Sequence, residues 1–311
     1  MPPIVTLTLN PAVDKNTEVG HVVAEDKLRC DAPSREPGGG GLNVSRVVDR
    51  LGGHSTAVYT SGGFTGAMLE SLLDDEGLDH TPLPIDDWTR ENLIVYETST
   101  DRQFRFGMPG PSLMPGEVED SLTVLRDLHP APDYLVASGS LPPGAPDDTY
   151  AAVAGAAHTV GARPILDTSG AALREAMDAG WYLLKPNLRE LEQLAGDTLG
   201  TERQRIDAAR GFIERGWCEV VVLSMGASGA LLITTDRAEH VRSPTVPIAS
   251  RVGAGDSMVA GLTVALTRGL DLGAAVQFGV AAGAAAVMTP GTELCHRDDT
   301  ERLFEQIRDD A

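Results

Sequence analysis

Lysine is almost missing from this chain. Lys15, Lys27 and Lys185 are the only three in 311 residues, and 25 basic residues face 45 acidic ones, for a net charge of −20. A phosphate backbone is bound through a basic surface, so nucleic-acid binding is excluded as a main activity. Two origins account for an acidic, arginine-dominated surface. One is a salt-rich cytoplasm, where the Debye length shrinks to about 3 Å at 1 M and counterions screen self-repulsion; the other is a GC-rich genome whose codons favour arginine. Activity that rises in molar KCl separates them. Cysteine is equally scarce. Cys30, Cys218 and Cys295 are odd in number and far apart, which argues against a disulfide framework and a structural zinc site. The seven histidines show no HExxH spacing. No run approaches the roughly 18 uninterrupted apolar residues of a membrane span. The opening MPPIVTLTLN lacks the basic-then-apolar pattern of a secretory leader, so a cytoplasmic protein is expected.

What is present is a 42% hydrophobic content, enough at this length for one large α/β domain with a full core. The runs IVTLTL (4–9), STAVYT (55–60), YLVAS (134–138), RPILD (163–167), YLLK (182–185) and EVVVLS (219–224) recur between helical patterns. That alternation predicts a mostly parallel sheet covered by helices on both faces. Two stretches break the rhythm, TEVGHVVAEDKLRCDAP (17–33) and ENLIVYETSTDRQFRFGMPG (91–110). They read as polar-flanked antiparallel strands of a small sheet or lid. With no internal repeat and no long linker, the expectation is a single domain over 1–311, with lid segments at roughly 15–34 and 90–109 and Pro-rich loops at 130–132 and 142–146.

Three motifs can carry chemistry. In EPGGGGLNVSRVVDRLGG (36–53), Val44, Val47, Val48 and Leu51 recur at helical spacing and Gly52-Gly53 is a stop. The run Gly38 to Gly41 therefore lies at a helix N-terminus, where free N–H groups favour an anion or a hydroxyl-rich ligand. It is neither a P-loop nor a GxGxxG fingerprint, since Val44 occupies the third glycine position; a plain turn is the other reading. In SRVGAGDSMVAGLTVAL (250–266), Gly253-Ala254-Gly255 precedes Asp256 and an apolar helix. Successive N–H groups there can hold the charge on a transferred phosphoryl group, with Asp256 placed to take a proton from a hydroxyl. An aspartate N-cap explains the same pattern without chemistry.

KPNLRELEQLAG (185–196) sets Asn187 and Glu190 three apart, a spacing that can hold Mg²⁺ through water while Lys185 meets a phosphate. A reciprocal cap between the two is the alternative. LSMGASGALLI (223–233) is either a hairpin or backbone that approaches a nucleotide through Gly226 and Gly229. FGVAAGAAAVMTPG (278–291) is a small-residue helix suited to close packing or to the wall of an adenine pocket.

In this order the motifs resemble the ribokinase-like, or PfkB, family of sugar kinases over essentially the whole chain. The likeness is strongest toward its 6-phosphofructokinase branch through EDKLRC, EPGGGGLNVSR, DWTREN, RFGMPG, SGSLPPG, VGAGDSMV and FGVAAGAAAVMTPGTELC. It implies an α/β fold, a ribokinase-like three-layer α/β/α sandwich with a mostly parallel central sheet and a small antiparallel β lid. It implies ATP-dependent phosphorylation of fructose 6-phosphate. Activity as a 1-phosphofructokinase or tagatose-6-phosphate kinase is the nearest alternative, and a non-catalytic sugar-phosphate and nucleotide sensor is the one from another class.

The same resemblance distributes roles. Asp256 would be the base, with Gly253, Ala254, Gly255 and Lys185 around the transferred group. Asp14, Gly38, Gly39, Gly40, Gly41, Asn43 and Ser140 would bind the sugar, and Lys27, Arg29 and Arg90 the phosphate already on it, which arginine suits geometrically. Lys185, Asn187, Ser224, Gly226, Gly229, Arg251 and Gly283 would meet ATP, and Asn187 and Glu190 would hold Mg²⁺ through water. A monovalent cation such as K⁺ would lie near Ser250, Val252, Ala286, Thr289 and Gly291, although Arg251 replaces the family's usual small hydroxyl residue. The resemblance also implies a homodimer through the lid, which would cover that sheet's open strand edges. Bulk at Gly40 or Gly41 is expected to damage sugar binding before stability.

Overall fold

The computed structural model describes residues 4–309. The first half runs β1 (Ile4–Thr8), β2 (Ala12–Val19), β3 (Ser34–Gly38), α1 (Gly40–Arg50), β4 (Ser55–Ser61), α2 (Gly63–Asp75), β5 (His80–Pro84), β6 (Arg90–Glu97), β7 (Arg102–Phe106) and α3 (Pro115–Arg126). Then follow β8 (Tyr134–Ser138), α4 (Thr149–Val160), β9 (Arg163–Asp167), α5 (Gly170–Glu175), β10 (Trp181–Leu184), α6 (Leu188–Ala195) and α7 (Glu202–Glu214). The last part holds β11 (Cys218–Ser224), β12 (Ala230–Ile233), β13 (Ala238–Val241), α8 (Ala254–Thr267), α9 (Leu272–Val287) and α10 (Arg297–Asp309).

Nine strands form one sheet in the order β13-β12-β11-β10-β9-β8-β1-β4-β5. From β11 to β5 every pairing is parallel, and β12 and β13 add an antiparallel margin. Because successive side chains alternate faces, Ile4, Val136, Ile165, Leu183 and Val222 point to a core closed by α1, α8, α9 and α10. Val5, Leu135, Leu166, Leu184 and Val221 point to the opposite core with α3, α4 and α7. Burial on both faces explains why these strands read as continuous apolar runs. The result is the expected three-layer sandwich. The small-residue helix α9 packs closely on α8, where a Cβ on Gly279 would sit 2.8 Å from the Met258 carbonyl oxygen. No helix among the described residues is long and apolar enough to cross a membrane.

The second sheet has the order β3-β2-β6-β7. It is antiparallel at its margins, β2 with β3 and β6 with β7, and parallel at its centre, where Ala12 pairs with Arg90 and Val19 with Glu97. The sequence expectation of strands across 17–33 is corrected in part: β2 begins earlier, and residues 20–33 form a loop before β3. The hairpin alternative for 223–233 is the observed one, with β11 and β12 antiparallel. The chain enters the small sheet directly after β1 and returns from it into α1. It therefore stands over the carboxyl ends of the parallel strands, beside the β1–β8 boundary where strand order reverses, the place where open α/β sheets form a ligand crevice.

Candidate active site

Four strand ends deliver polar groups to this crevice: Ser138 closes β8, Asp167 closes β9, Lys185 follows β10 and Ser224 closes β11. Lys185 is only 6% exposed and its Nζ lies 3.0 Å from Asp167 Oδ1. Burial acts to lower the lysine pKa, but Asp167, with Glu190 and Asp256 beyond it, raises it on balance. Lys185 therefore stays a fixed cation. Its Nζ is 3.7 Å from where a Cβ on Gly255 would stand, so the charge sits against the turn that opens α8.

That turn is built on Gly253, whose φ of 71° is left-handed, a conformation glycine adopts without the Cβ penalty. A Cβ there would also meet Leu294 Cδ2 at 2.5 Å, so a side chain at this position would have to displace Leu294. Gly253 is the N-cap of α8 and offers no side-chain cap, so the first N–H groups of the helix, on Ala254, Gly255 and Asp256, remain without intrahelical partners. Asp256 lies two residues beyond the helix start and is not the cap. Its one side-chain hydrogen bond comes from Asn43, whose Nδ2 donates to Oδ2 at 2.8 Å. Burial, reinforced by the Asp167 carboxylate, pushes the Asp256 carboxyl up to about 6, against the pull of Asn43, Lys185 and Arg105.

Asn187 and Glu190 do form the reciprocal cap: Glu190 N donates to Asn187 Oδ1 at 3.0 Å and Asn187 N donates to Glu190 Oε2 at 2.8 Å. This leaves Glu190 Oε1 uncommitted, on a carboxyl whose pKa burial and Asp167 raise, a group that would gain from a nearby cation. Among the described residues no three His, Cys, Asp or Glu side chains gather as a metal cage. The donor set suits Mg²⁺, which keeps several waters and takes one or two carboxylates plus substrate phosphates.

On the other wall, α1 begins at Gly40, with Gly39 as N-cap at φ 120°. Asn43 therefore sits within the first turn and does not open the helix. A Cβ on Gly41 would stand 2.5 Å from the Leu7 carbonyl oxygen, and one on Gly40 would collide with Ser138 Oγ. These glycines let the helix start press against the ends of β1 and β8, so bulk there is now expected to harm packing and binding together. A Cβ on Gly38 would meet Asp14 Oδ2 at 2.5 Å, and Asn92 Nδ2 donates to Asp14 Oδ1 at 2.8 Å. Arg90 is held by three carbonyl oxygens, donating to Asn10 at 2.9 Å, Met108 at 3.0 Å and Pro11 at 3.4 Å. Burial lowers its pKa and Asp14 opposes that. Ser140 Oγ accepts from Asn10 Nδ2 at 3.1 Å. Lys27 and Arg29 lie apart from this group, exposed on the 20–33 loop, and among the described residues neither side chain has a hydrogen bond or ion pair.

Beyond α8 a cavity of about 510 Å³ is lined by Ser224, Gly226, Gly229, Arg251 and Gly283, the residues expected to meet a nucleotide. Val246, Val280 and Val287 add an apolar wall of the kind that takes a flat base. Next to it, segments 249–252 and 286–293 are laced together. Ser250 Oγ donates to the Gly291 carbonyl at 2.6 Å and accepts from Val252 N at 3.2 Å, while Thr289 Oγ1 donates to the Ala286 and Glu293 carbonyls, each at 2.7 Å. Such gathered carbonyl oxygens are donors a monovalent cation accepts, and Arg251 is exposed beside them.

The sequence reading missed Asp167, Asn10 and Asn92. An aspartate that closes a parallel strand at the crevice edge was the one available signal for Asp167; Asn10 and Asn92 act on partners 130 and 78 residues away.

Residues 5–299 match the profile of the pfkB family carbohydrate kinases. The ATP-dependent 6-phosphofructokinase isozyme 2 of Mycobacterium tuberculosis is 47% identical over 304 residues, 98% of this chain and 89% of that protein. A 1-phosphofructokinase of Bacillus subtilis is 32% identical over 305 residues, 98% of each chain. Crystal structures of Phosphofructokinase-2 from Escherichia coli match with TM-scores of 0.95 in complex with potassium and 0.93 in complex with fructose-6-phosphate, at 40% and 39% identity. Each match covers 99% of this chain and 100% of the other. Matched over residues 5–299 and built on the same fold, the chain belongs to the pfkB family of carbohydrate kinases.

Proposed function

We propose that this chain transfers the γ-phosphoryl group of ATP to fructose 6-phosphate, giving fructose 1,6-bisphosphate. The observation that carries the reading is Asp256, a carboxyl poised near 6 between an unpaired helix start and the glycine-rich wall of α1. At neutral pH it is mainly ionised, so it can accept the proton of the sugar hydroxyl as that oxygen attacks. Asn43 fixes one carboxylate oxygen and leaves the other for the proton. The N–H groups of Ala254, Gly255 and Asp256 stabilise the charge on the transferring group, and Lys185 adds a fixed positive charge beside them. Glu190 and Asn187 would hold Mg²⁺ through water, and the ion supplies neutralisation of the phosphate oxygens when bound.

Asp14, Asn43, Ser140 and Gly38 to Gly41 would receive the sugar, with Arg90, Lys27 and Arg29 on its phosphate. ATP would occupy the cavity at Ser224, Gly226, Gly229, Arg251 and Gly283. The potassium complex of the Escherichia coli protein supports a K⁺ site at Ser250, Val252, Ala286, Thr289 and Gly291. In this reading one kinase domain carries the four-stranded sheet as a lid. Exposed Tyr96, Phe106 and Met108 on and beside it, together with the open edges of β3 and β7, support a homodimer through the lid. A cytoplasmic location goes with these substrates. A sensor has no need of the base, so Asp256 favours the enzyme.

The test is a coupled ADP-release assay with fructose 6-phosphate, fructose 1-phosphate, tagatose 6-phosphate and fructose, at low and molar KCl. Turnover highest on fructose 6-phosphate is expected. Preference for fructose 1-phosphate, or no turnover on any of the four, would sink the reading.

A further inference from the structure

Side chains join the small sheet to the nucleotide side of the crevice at one residue. Thr292 is 7% exposed; its hydroxyl accepts from Asn16 Nδ2 at 3.1 Å and donates to Glu36 Oε2 at 2.8 Å. Among the described residues, no other side-chain hydrogen bond or ion pair links β2, β3, β6 or β7 to residues 242–296.

Both strand partners of Thr292 stand where they can move Asp14. Side chains two apart share a strand face, so Asn16 lies beside Asp14 on β2, and Glu36 is the residue of β3 directly opposite Asp14. Glu36 is also held from behind. Arg46, only 4% exposed, approaches it to 4.0 Å while donating to Glu76 at 2.7 Å and to the Pro37 carbonyl at 3.0 Å. Asn16 has no such second tie, for its Oδ1 is buried without a partner.

In the other direction, both neighbours of Thr292 are fastened to the nucleotide side. The Gly291 carbonyl accepts from Ser250 Oγ at 2.6 Å, and Ser250 Oγ in turn accepts from Val252 N at 3.2 Å, one residue before the Gly253 cap of α8. The Glu293 carbonyl accepts from Thr289 Oγ1 at 2.7 Å, whose hydroxyl also reaches Ala286 in α9. A short polar path therefore runs from the strand pair that carries Asp14 to the turn that carries Asp256.

We propose that Thr292 is a positioning residue that couples sugar-phosphate binding on β2 and β3 to nucleotide binding at the α8 turn. The inference rests on the kinase reading above. With the hydroxyl present, the strand pair and the turn shift as one body; without it, each site fills independently.

Calorimetric titration of the full chain with a non-hydrolysable ATP analogue, with and without saturating sugar phosphate, measures the coupling. The sugar is whichever of the four the wild type phosphorylates. The wild type should show nucleotide affinity changed about fivefold or more by the sugar. Thr292→Val should bring that factor to near one with nucleotide affinity alone unchanged, and Thr292→Ser should restore it. Should Thr292→Val not fold, Asn16→Ala, which removes only the β2 contact, carries the same test. A valine variant with wild-type coupling overturns the inference, as does a wild type with none, or a variant that loses nucleotide binding equally in both conditions. A sugar other than fructose 6-phosphate overturns the functional reading alone; no turnover on any sugar overturns both.

Discussion

Strands β1 and β8 are buried along their whole length, whereas β3 and β7 leave Ser34, Arg35, Arg102, Arg105 and Phe106 exposed. The large sheet is held by two apolar cores. The small one puts Val13 into a lesser apolar cluster with Leu42, Tyr59 and Leu69, and is otherwise tied to the rest by polar contacts, among them Arg90 on the Asn10 and Pro11 carbonyls and Thr292 on Asn16 and Glu36. The groups that would do chemistry stand on the first, and most of those that would recognise the sugar's phosphate stand on the second. Chemistry needs atoms fixed to fractions of an ångström, which a close-packed core supplies. Recognition of a mobile ligand tolerates an element that yields.

The comparison is sharpened most by Asp256→Asn. Loss of the base should lower kcat by ~10²–10⁴-fold, with sugar binding retained in equilibrium titration. Because the folded pKa of Asp256 lies above its ordinary 3.8, at about 6, the folded state holds this proton more tightly than the unfolded chain. The ionised form thus weakens the fold as pH rises through that window, and the asparagine variant should melt no earlier than wild type at pH 7. In the wild type the same group gives kcat/KM an acid limb near pH 6, lost below it as the base protonates. Equal turnover in the variant, or a limb unmoved by Asp167→Asn, would break the assignment; removing Asp167 should shift the limb to lower pH.

Lys185→Met comes next and tests the rigid side through stability. It leaves Asp167 as an uncompensated carboxylate in a buried site, a change that costs about 3–5 kcal/mol when a buried pair loses one partner. Denaturant titration checks it. A loss below about 1 kcal/mol would show that water reaches Asp167 and that the strand ends are less enclosed than the geometry says.

The contrast between the sheets also decides what could be read in the sequence. Runs such as YLVAS and EVVVLS are apolar throughout because both their faces are covered, so the central strands and the three-layer architecture were legible. Strand β5, HTPLP, holds two prolines at one sheet edge, and β13 is a four-residue strand at the other; neither announces itself. Residues 20–33 belong to a stretch that reads as strand, yet they are mostly exposed, with little apolar surface to bury, and they form a loop. At the site, whether Asp256 caps the helix was undecidable until the backbone of Gly253 set the helix start. Asp167 escaped notice because its meaning lies in a lysine 18 residues on that only the parallel sheet brings to 3.0 Å.

Arg90→Ala is the case that can break the division, since Arg90 belongs to the small sheet but is anchored in the crevice. Removing it leaves three carbonyl oxygens without their donor, a stability cost of ~1–3 kcal/mol. The same loss should raise KM for the sugar phosphate about tenfold or more, because hydrogen bonds to a charged group are among the stronger ones. Steady-state kinetics beside thermal melts read both. A raised KM with no loss of stability would place Arg90 with the yielding elements.

Lys27→Ala and Arg29→Ala should have the smallest effects, and their signature is where they appear. Both side chains are exposed and unpaired among the described residues, so stability should stay within about 0.5 kcal/mol of wild type. In the proposed function each cation would meet the sugar's phosphate partly in water, where an ion pair contributes ~0.2–1 kcal/mol, so KM for the sugar phosphate should rise about two- to fivefold with kcat unchanged. Salt makes the test specific. Between 0.1 M and 1 M the Debye length falls from about 10 Å to about 3 Å, so the penalty at these two positions should fade in molar KCl, while that of Arg90→Ala, set in a desolvated pocket, persists. A penalty at Lys27 that survives molar salt would mean that the 20–33 loop closes over the sugar phosphate and excludes water, making the small sheet as much a part of the rigid site as β9 and β10.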